Sequence, residues 1–173
     1  PWRVPVILED TRVVMQAARC NFFVSKALLS ASDKITLQAR KEVLYNGVSE
    51  DFVEYPASEK TAVRERYGLS AEDRVVAFVG NLVPVKNVMV LPELFAKIKS
   101  GFSGSLKFWI VGDGKLRSAL ESAFSHHCEK RGSLPIRFFG NQPSATMPDI
   151  MNCVDILVIP SLNEADESDV KRG

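Results

Sequence analysis

Apolar residues fall along this chain in two recurring patterns. Short unbroken runs end at glycine, and longer stretches repeat an apolar position every three or four residues. The clearest run is Val75-Val76-Ala77-Phe78-Val79, followed by Gly80. Five apolar residues in succession predict a strand buried on both faces, as in a parallel sheet. Residues 89–99 follow with Leu91, Leu94, Phe95 and Ile98 at helical spacing. Further strands are predicted at 106–111, 136–140 and 155–161. Helices are predicted at 116–130 and 146–153, the first carrying Leu116, Leu120, Ala123, Phe124 and His127 along one side. Upstream, residues 58–67 predict a helix capped by Ser58 and stopped at Gly68. Strand and helix alternate four times from Ala71 onward, which predicts an α/β fold: a parallel sheet with helices on its faces.

The first part of the chain is patterned less regularly. Pro1 and Pro5 argue for an extended piece over residues 1–8. A helix is expected over 11–19, capped by Asp10 or Thr11, then a strand at 20–25 and a short helix at 26–32. A second strand is expected at 43–48, ending at the Asn46-Gly47 turn. Residues 49–57 show no clear period and include Pro56, so they read as a linker or boundary. Phe22, Phe23, Phe78, Phe95, Phe108, Phe138 and Phe139 are the expected aromatic core.

The candidate chemistry sits where the strands end. In a parallel sheet, ligands bind beyond the carboxyl ends of the strands. Those ends here are Gly80, Gly112 to Gly114, Gly140 and Pro160 to Glu164. Gly80 permits a sharp turn, and a loop feeding a helix offers free N–H groups and the positive end of its dipole. Lys86 adds a full charge there. The expectation is an anion site, with phosphate foremost; the alternative is a solvated loop lysine. Gly112-Asp113-Gly114 reads first as a tight structural turn, because Arg117 breaks the dinucleotide-binding pattern.

Composition mainly excludes. A net charge of +1 leaves no electrostatic footprint for nucleic acid. Cys20, Cys128 and Cys153 are far apart and read as buried thiols of a reducing compartment. His126 and His127 have no partners at metal-ligand spacing, so no metal is expected. No apolar run approaches membrane-spanning length. Residues 1–10 lack a secretory pattern. A cytoplasmic location follows, with peripheral membrane association left open. The proline at position 1 implies that the native start lies upstream or has been removed.

Taken together, the motifs resemble those of the retaining glycosyltransferases of the glycogen-synthase and mannosyltransferase-like group (family 4, group 1), which have the GT-B fold of two Rossmann-like domains. The matching pieces are Val43-Leu44-Tyr45-Asn46-Gly47-Val48, Phe78 to Asn87, Trp109 to Arg117, Ile136 to Gly140 and Asp155 to Glu164. Their order and spacing carry the likeness over about two thirds of the chain. The resemblance implies that 1–50 is the end of an N-terminal, acceptor-side domain, 51–57 a linker, and 58–173 the first part of a C-terminal nucleotide-sugar domain.

It further implies a donor site. The family's loop reads Gly-Arg-Leu-x-x-x-Lys-Gly, whose Arg and Lys hold the diphosphate. Gly80 and Lys86 match, and Asn81 stands where the Arg is usual. Gly140, Asn141 and Gln142 match the loop beside the nucleotide base, and Glu164 matches the first glutamate near the transferred sugar. Ala165-Asp166-Glu167 departs from the glycine-rich segment that follows in the family, and Arg172 stands where a second glutamate is usual.

The implied function is retaining hexosyl transfer from a nucleotide-diphosphate sugar to a sugar, lipid or protein acceptor, without cofactor. The rivals are a non-catalytic nucleotide-binding or assembly partner, and another GT-B enzyme such as a nucleotide-sugar epimerase or a phosphorylase. An apolar last strand at the edge of a shortened sheet would also invite self-association.

Overall fold

In the computed structural model, residues 13–34, 39–131 and 134–162 are described. The chain divides into two units, residues 1–50 and 51–173. The extended piece expected over 1–8 and the cap at Asp10 or Thr11 lie outside the described residues, as does Glu164.

The first unit contains helical residues 13–17 (α1), β1 (Cys20–Phe23), α2 (Lys26–Ala31), a 3-10 turn (Ser32–Lys34) and β2 (Arg40–Val43). Ser25 caps α2 by accepting the Leu28 N–H at 3.2 Å. β1 and β2 pair in parallel, from Cys20 opposite Arg40 to Phe23 opposite Val43. The strand expected over 43–48 therefore ends where it was to begin. Its partner explains this: after Phe23, whose carbonyl takes the Leu44 N–H at 2.9 Å, the chain turns into the Ser25 cap. No rung remains for Tyr45 to Val48. Phe22, expected in the core, is 59% exposed, on a sheet of only two strands.

The second unit contains α3 (Ala57–Arg66), β3 (Asp73–Val79), α4 (Leu91–Ser100), β4 (Ser105–Val111), α5 (Arg117–Arg131), β5 (Ile136–Gly140), α6 (Met147–Cys153) and β6 (Ile156–Leu157). All four strands are parallel, in the order β5-β4-β3-β6. Successive residues of β3 serve opposite faces. Val76 and Phe78 pack with Leu91 and Phe95 of α4 and Leu120 and Phe124 of α5. Val75 and Ala77 pack with Val63 of α3 and Ile150 and Cys153 of α6. The unbroken apolar run thus has the predicted cause, helices on both faces.

At the amino ends of the strands the sheet is pinned by polar groups. Asp73 accepts from the Ser70 N–H at 2.7 Å, the Ser70 hydroxyl at 3.0 Å and the Ser105 hydroxyl at 2.5 Å, with the Lys107 ammonium at 3.4 Å. Burial works to raise the pKa of this carboxyl, but those hydrogen bonds outweigh it and hold the group lowered to about 2. Arg64 donates to the Asp73 carbonyl at 2.5 Å and the Cys153 carbonyl at 2.9 Å, tying α3 to β3 and to the end of α6.

Three boundaries differ from expectation. α3 starts at Ala57, its cap is Pro56, and Ser58 makes no capping bond; the Pro56 carbonyl accepts the first helical N–H, from Lys60, at 2.9 Å. α4 starts at Leu91 because two 3-10 turns, Pro84–Lys86 and Val88–Val90, precede it. β6 spans two residues where seven were expected. Val158 N–H still reaches the Ala77 carbonyl at 2.8 Å, but Pro160 has no N–H for a further rung.

Candidate functional site

Three loops meet beyond the carboxyl ends of β3, β4 and β5. The Gly80 N–H donates to the Val111 carbonyl at 2.9 Å, and the Gly112 N–H to the Gly140 carbonyl at 2.8 Å. These bonds carry the sheet one step past its strands. They require glycine: a β-carbon on Gly112 would overlap the Gly80 carbonyl oxygen, and one on Gly114 would lie 2.6 Å from the Leu82 carbonyl oxygen. Leu82 is held by the next loop on both sides of its peptide. Its N–H donates to the Asp113 carbonyl at 2.9 Å, and its carbonyl accepts from Leu116 at 3.0 Å.

Lys86 follows on the same loop, half-buried in the 3-10 turn Pro84–Lys86. Among the described residues no carboxylate pairs with its ammonium. Asn87 after it adopts a left-handed conformation, with φ +50°. Asn81 is exposed, its carbonyl accepting the Val83 N–H at 3.0 Å. The Leu162 N–H donates to the Val85 carbonyl at 3.0 Å, so the segment leading to Glu164 reaches the Lys86 loop.

Across the rim, Gly140 takes a left-handed turn, with φ +67°. Asn141 after it is exposed. The Gln142 amide nitrogen donates to the Phe139 carbonyl at 2.8 Å and the Asn141 carbonyl at 3.2 Å. The expected positions 80, 81 and 86 thus share one loop and 140 to 142 another, with Gly112 between them.

The α4 N-terminus does not serve this rim as expected. Its Val90 and Leu91 N–H groups are taken by the carbonyls of Asn87 and Val88, Pro92 has none, and Glu93 occupies the first turn. An acid there already answers the helix dipole.

Sequence reasoning missed Arg117. Its guanidinium donates to Glu121 at 2.9 Å and to Asp113 at 3.2 Å, lies 5.9 Å from the Phe138 ring centroid, and would meet a β-carbon on Gly140 at 3.1 Å. The bond to Glu121 is the main cause of its raised pKa. The spacing of four between Asp113, Arg117 and Glu121 was the available signal. The two acids leave this cluster net negative, so the rim cations without a carboxylate partner among the described residues are the half-buried Lys86 and the exposed Lys115. No group of three His, Cys, Asp or Glu among those residues could hold a metal ion, and no helix there is long and apolar enough to cross a membrane.

Comparison with known proteins agrees with this architecture. The sequence model of "Glycosyl transferases group 1" matches residues 73–170. The chain belongs to that family. It is 28% identical over 126 residues to the 2-deoxystreptamine glucosyltransferase of Streptomyces kanamyceticus, covering 71% of this chain and 31% of that one. It is 29% identical over 114 residues to the D-inositol 3-phosphate glycosyltransferase of Corynebacterium glutamicum, covering 64% and 27%. Among solved structures, Anabaena Alr3699/HepE in complex with UDP superposes with a TM-score of 0.74 at 20% identity, covering 94% of this chain and 44% of that one. The fold is that of part of a GT-B glycosyltransferase. The chain spans less than half the length of these relatives.

Proposed function

We propose that this chain supplies the donor-diphosphate side of a retaining, nucleotide-sugar-dependent glycosyltransferase. Residues 1–50 are then the end of the acceptor-side domain, 51–57 the linker, and 58–173 the start of the donor domain. One observation carries the reading: Lys86 sits on a loop stitched to the strand ends and has no carboxylate partner among the described residues. During transfer the bond from the anomeric carbon to the diphosphate oxygen breaks. A bond to the acceptor hydroxyl oxygen forms on the same face, and the product diphosphate takes up the acceptor's proton. Negative charge grows on the leaving diphosphate, and the Lys86 ammonium and the Asn81 main-chain N–H stabilise it; Gly80 serves as the turn, its own N–H being given to the Val111 carbonyl. Gly140 to Gln142 border the base. Glu164 is the acid beside the sugar.

Calorimetry with UDP, GDP and ADP, beside an assay of sugar transfer or donor hydrolysis, tests this. The expected result is binding of at least one nucleotide diphosphate that Lys86→Ala weakens. Absence of binding, or binding indifferent to Lys86→Ala, overturns it. The alternative reading is that this chain binds nucleotide without turnover; transfer by the chain alone would discard it.

A further inference from the structure

Gln142 is expected from sequence to face a nucleotide base. Its amide nitrogen is engaged elsewhere. Both of its acceptors, the Phe139 and Asn141 carbonyls, are main-chain oxygens. A carbonyl cannot donate, so the amide has one orientation: nitrogen toward the main chain, Oε1 away from it. With its nitrogen turned to these two carbonyls, the amide presents outward only Oε1, an acceptor, which Gln142→Glu would retain.

The side chain instead spans the turn. Phe139, before Gly140, is fixed in the sheet by Trp109, with ring centroids 4.7 Å apart, and by the Arg137 guanidinium 4.5 Å from its ring centroid. Asn141, after Gly140, is exposed and has no such anchor. Gln142 ties the exposed side of the turn to the fixed side. Gly140 between them is left-handed, a conformation glycine adopts without strain and also leaves readily, so the bonds that span it restrict the turn.

We propose that Gln142 is a positioning residue that holds the Gly140-Asn141 turn closed before any ligand arrives, and that it does not read the base. This rests on the donor-site reading only for what the turn borders. Gln142→Glu tests it, because it keeps size while replacing the donor with an oxygen facing two carbonyl oxygens. In the ligand-free protein, hydrogen exchange followed by mass spectrometry should quicken about fivefold or more over residues 139–143 and stay unchanged in β3 and β4. Affinities for UDP, GDP and ADP should fall by one common factor, about 3- to 30-fold. Gln142→Ala, which deletes the bonds without the repulsion, should move both readouts the same way by less. Unchanged exchange with a loss confined to one nucleotide would make Gln142 a base reader and overturn the proposal, as would no change in either readout. If the unaltered chain binds none of the three nucleotides, the donor-site reading fails, and the exchange arm still decides the role of Gln142.

Discussion

The α-carbon of Gly112 lies so close to the Gly80 carbonyl that no β-carbon fits between them. Two loops therefore cross in contact at the floor of the candidate site. Gly112 also has φ +126°, a conformation that L side chains rarely adopt. Gly112→Ala should thus lose about 2–4 kcal/mol, since the obstacle is main chain and cannot swing aside. Urea unfolding of the two proteins measures this. A midpoint unchanged by the substitution would mean that the loops do not cross this closely.

The Lys86 loop carries one cation where the family pattern has two. Lys86→Ala removes a charge-assisted contact, about 1.5–3 kcal/mol, so UDP affinity should fall about 10- to 100-fold. Asn81→Arg is the complementary test: it restores the second cation at an exposed position and should tighten UDP binding about 3- to 30-fold at low salt. Calorimetry at two salt concentrations reads both. Weaker binding in Asn81→Arg would mean that position 81 does not face the diphosphate.

Asn87 is the one non-glycine residue with positive φ among the described residues. Asparagine tolerates that region better than most residues, and glycine adopts it freely. Asn87→Gly should therefore leave thermal stability within about 0.5 kcal/mol, while Asn87→Ala should cost about 1 kcal/mol. Equal melting temperatures for the two variants would contradict a left-handed residue here.

Acid should act on this unit through Asp73. Its pKa is about 2 in the folded protein, against an ordinary value of 3.8. A lowered folded pKa adds stability that is fully present above about pH 4 and is lost as pH falls toward 2. The gap is worth about 2 kcal/mol. Asp73→Asn should be less stable than the parent at pH 7, with the difference shrinking between pH 4 and pH 2. A difference constant over that range would assign the loss to hydrogen bonds alone.

Much of this architecture could be read from residue patterns, for a physical reason. A strand covered on both faces must be apolar at every covered position, and β3 is from Val75 to Val79 and β4 from Phe108 to Val111; helices over them must be apolar at every third or fourth, and α4 is. The errors fall where a partner sets the boundary. β2 stops because β1 stops, and β6 is short because Pro160 cannot continue the ladder. Phe22 looked like core because hydrophobicity does not reveal how many strands a sheet has. The rim glycines were readable as a cluster, but the crossing of Gly80 and Gly112 was not, because contact between loops about thirty residues apart leaves no local signature. Arg117 could have been found from its spacing to Asp113 and Glu121.

Asn152 decides how residues 51–57 behave, and so whether they act as a linker. It is 8% exposed and fully bonded: its carbonyl oxygen accepts the Tyr55 N–H at 2.9 Å, and its amide donates to the Val53 and Pro148 carbonyls at 3.0 Å each. The Tyr55 hydroxyl donates to Asp149 at 3.0 Å, a second tie to α6. These bonds fasten the segment before α3 to the second unit. Asn152→Ala leaves the Tyr55 N–H and the Val53 carbonyl short of a partner, at about 1–3 kcal/mol each where water cannot enter, while the Pro148 carbonyl keeps its bond within α6. Because Val53 is more than half exposed, water will satisfy part of that loss, so about 2–3 kcal/mol is expected in total. Limited proteolysis separates local from global effects. Cleavage in residues 51–56 should quicken well before the protein as a whole becomes labile, and Tyr55→Phe, which keeps the main-chain bonds, should change it little. If Asn152→Ala is cut no faster there, the segment is held by something other than Asn152, and the boundary at residue 51 needs a different physical cause.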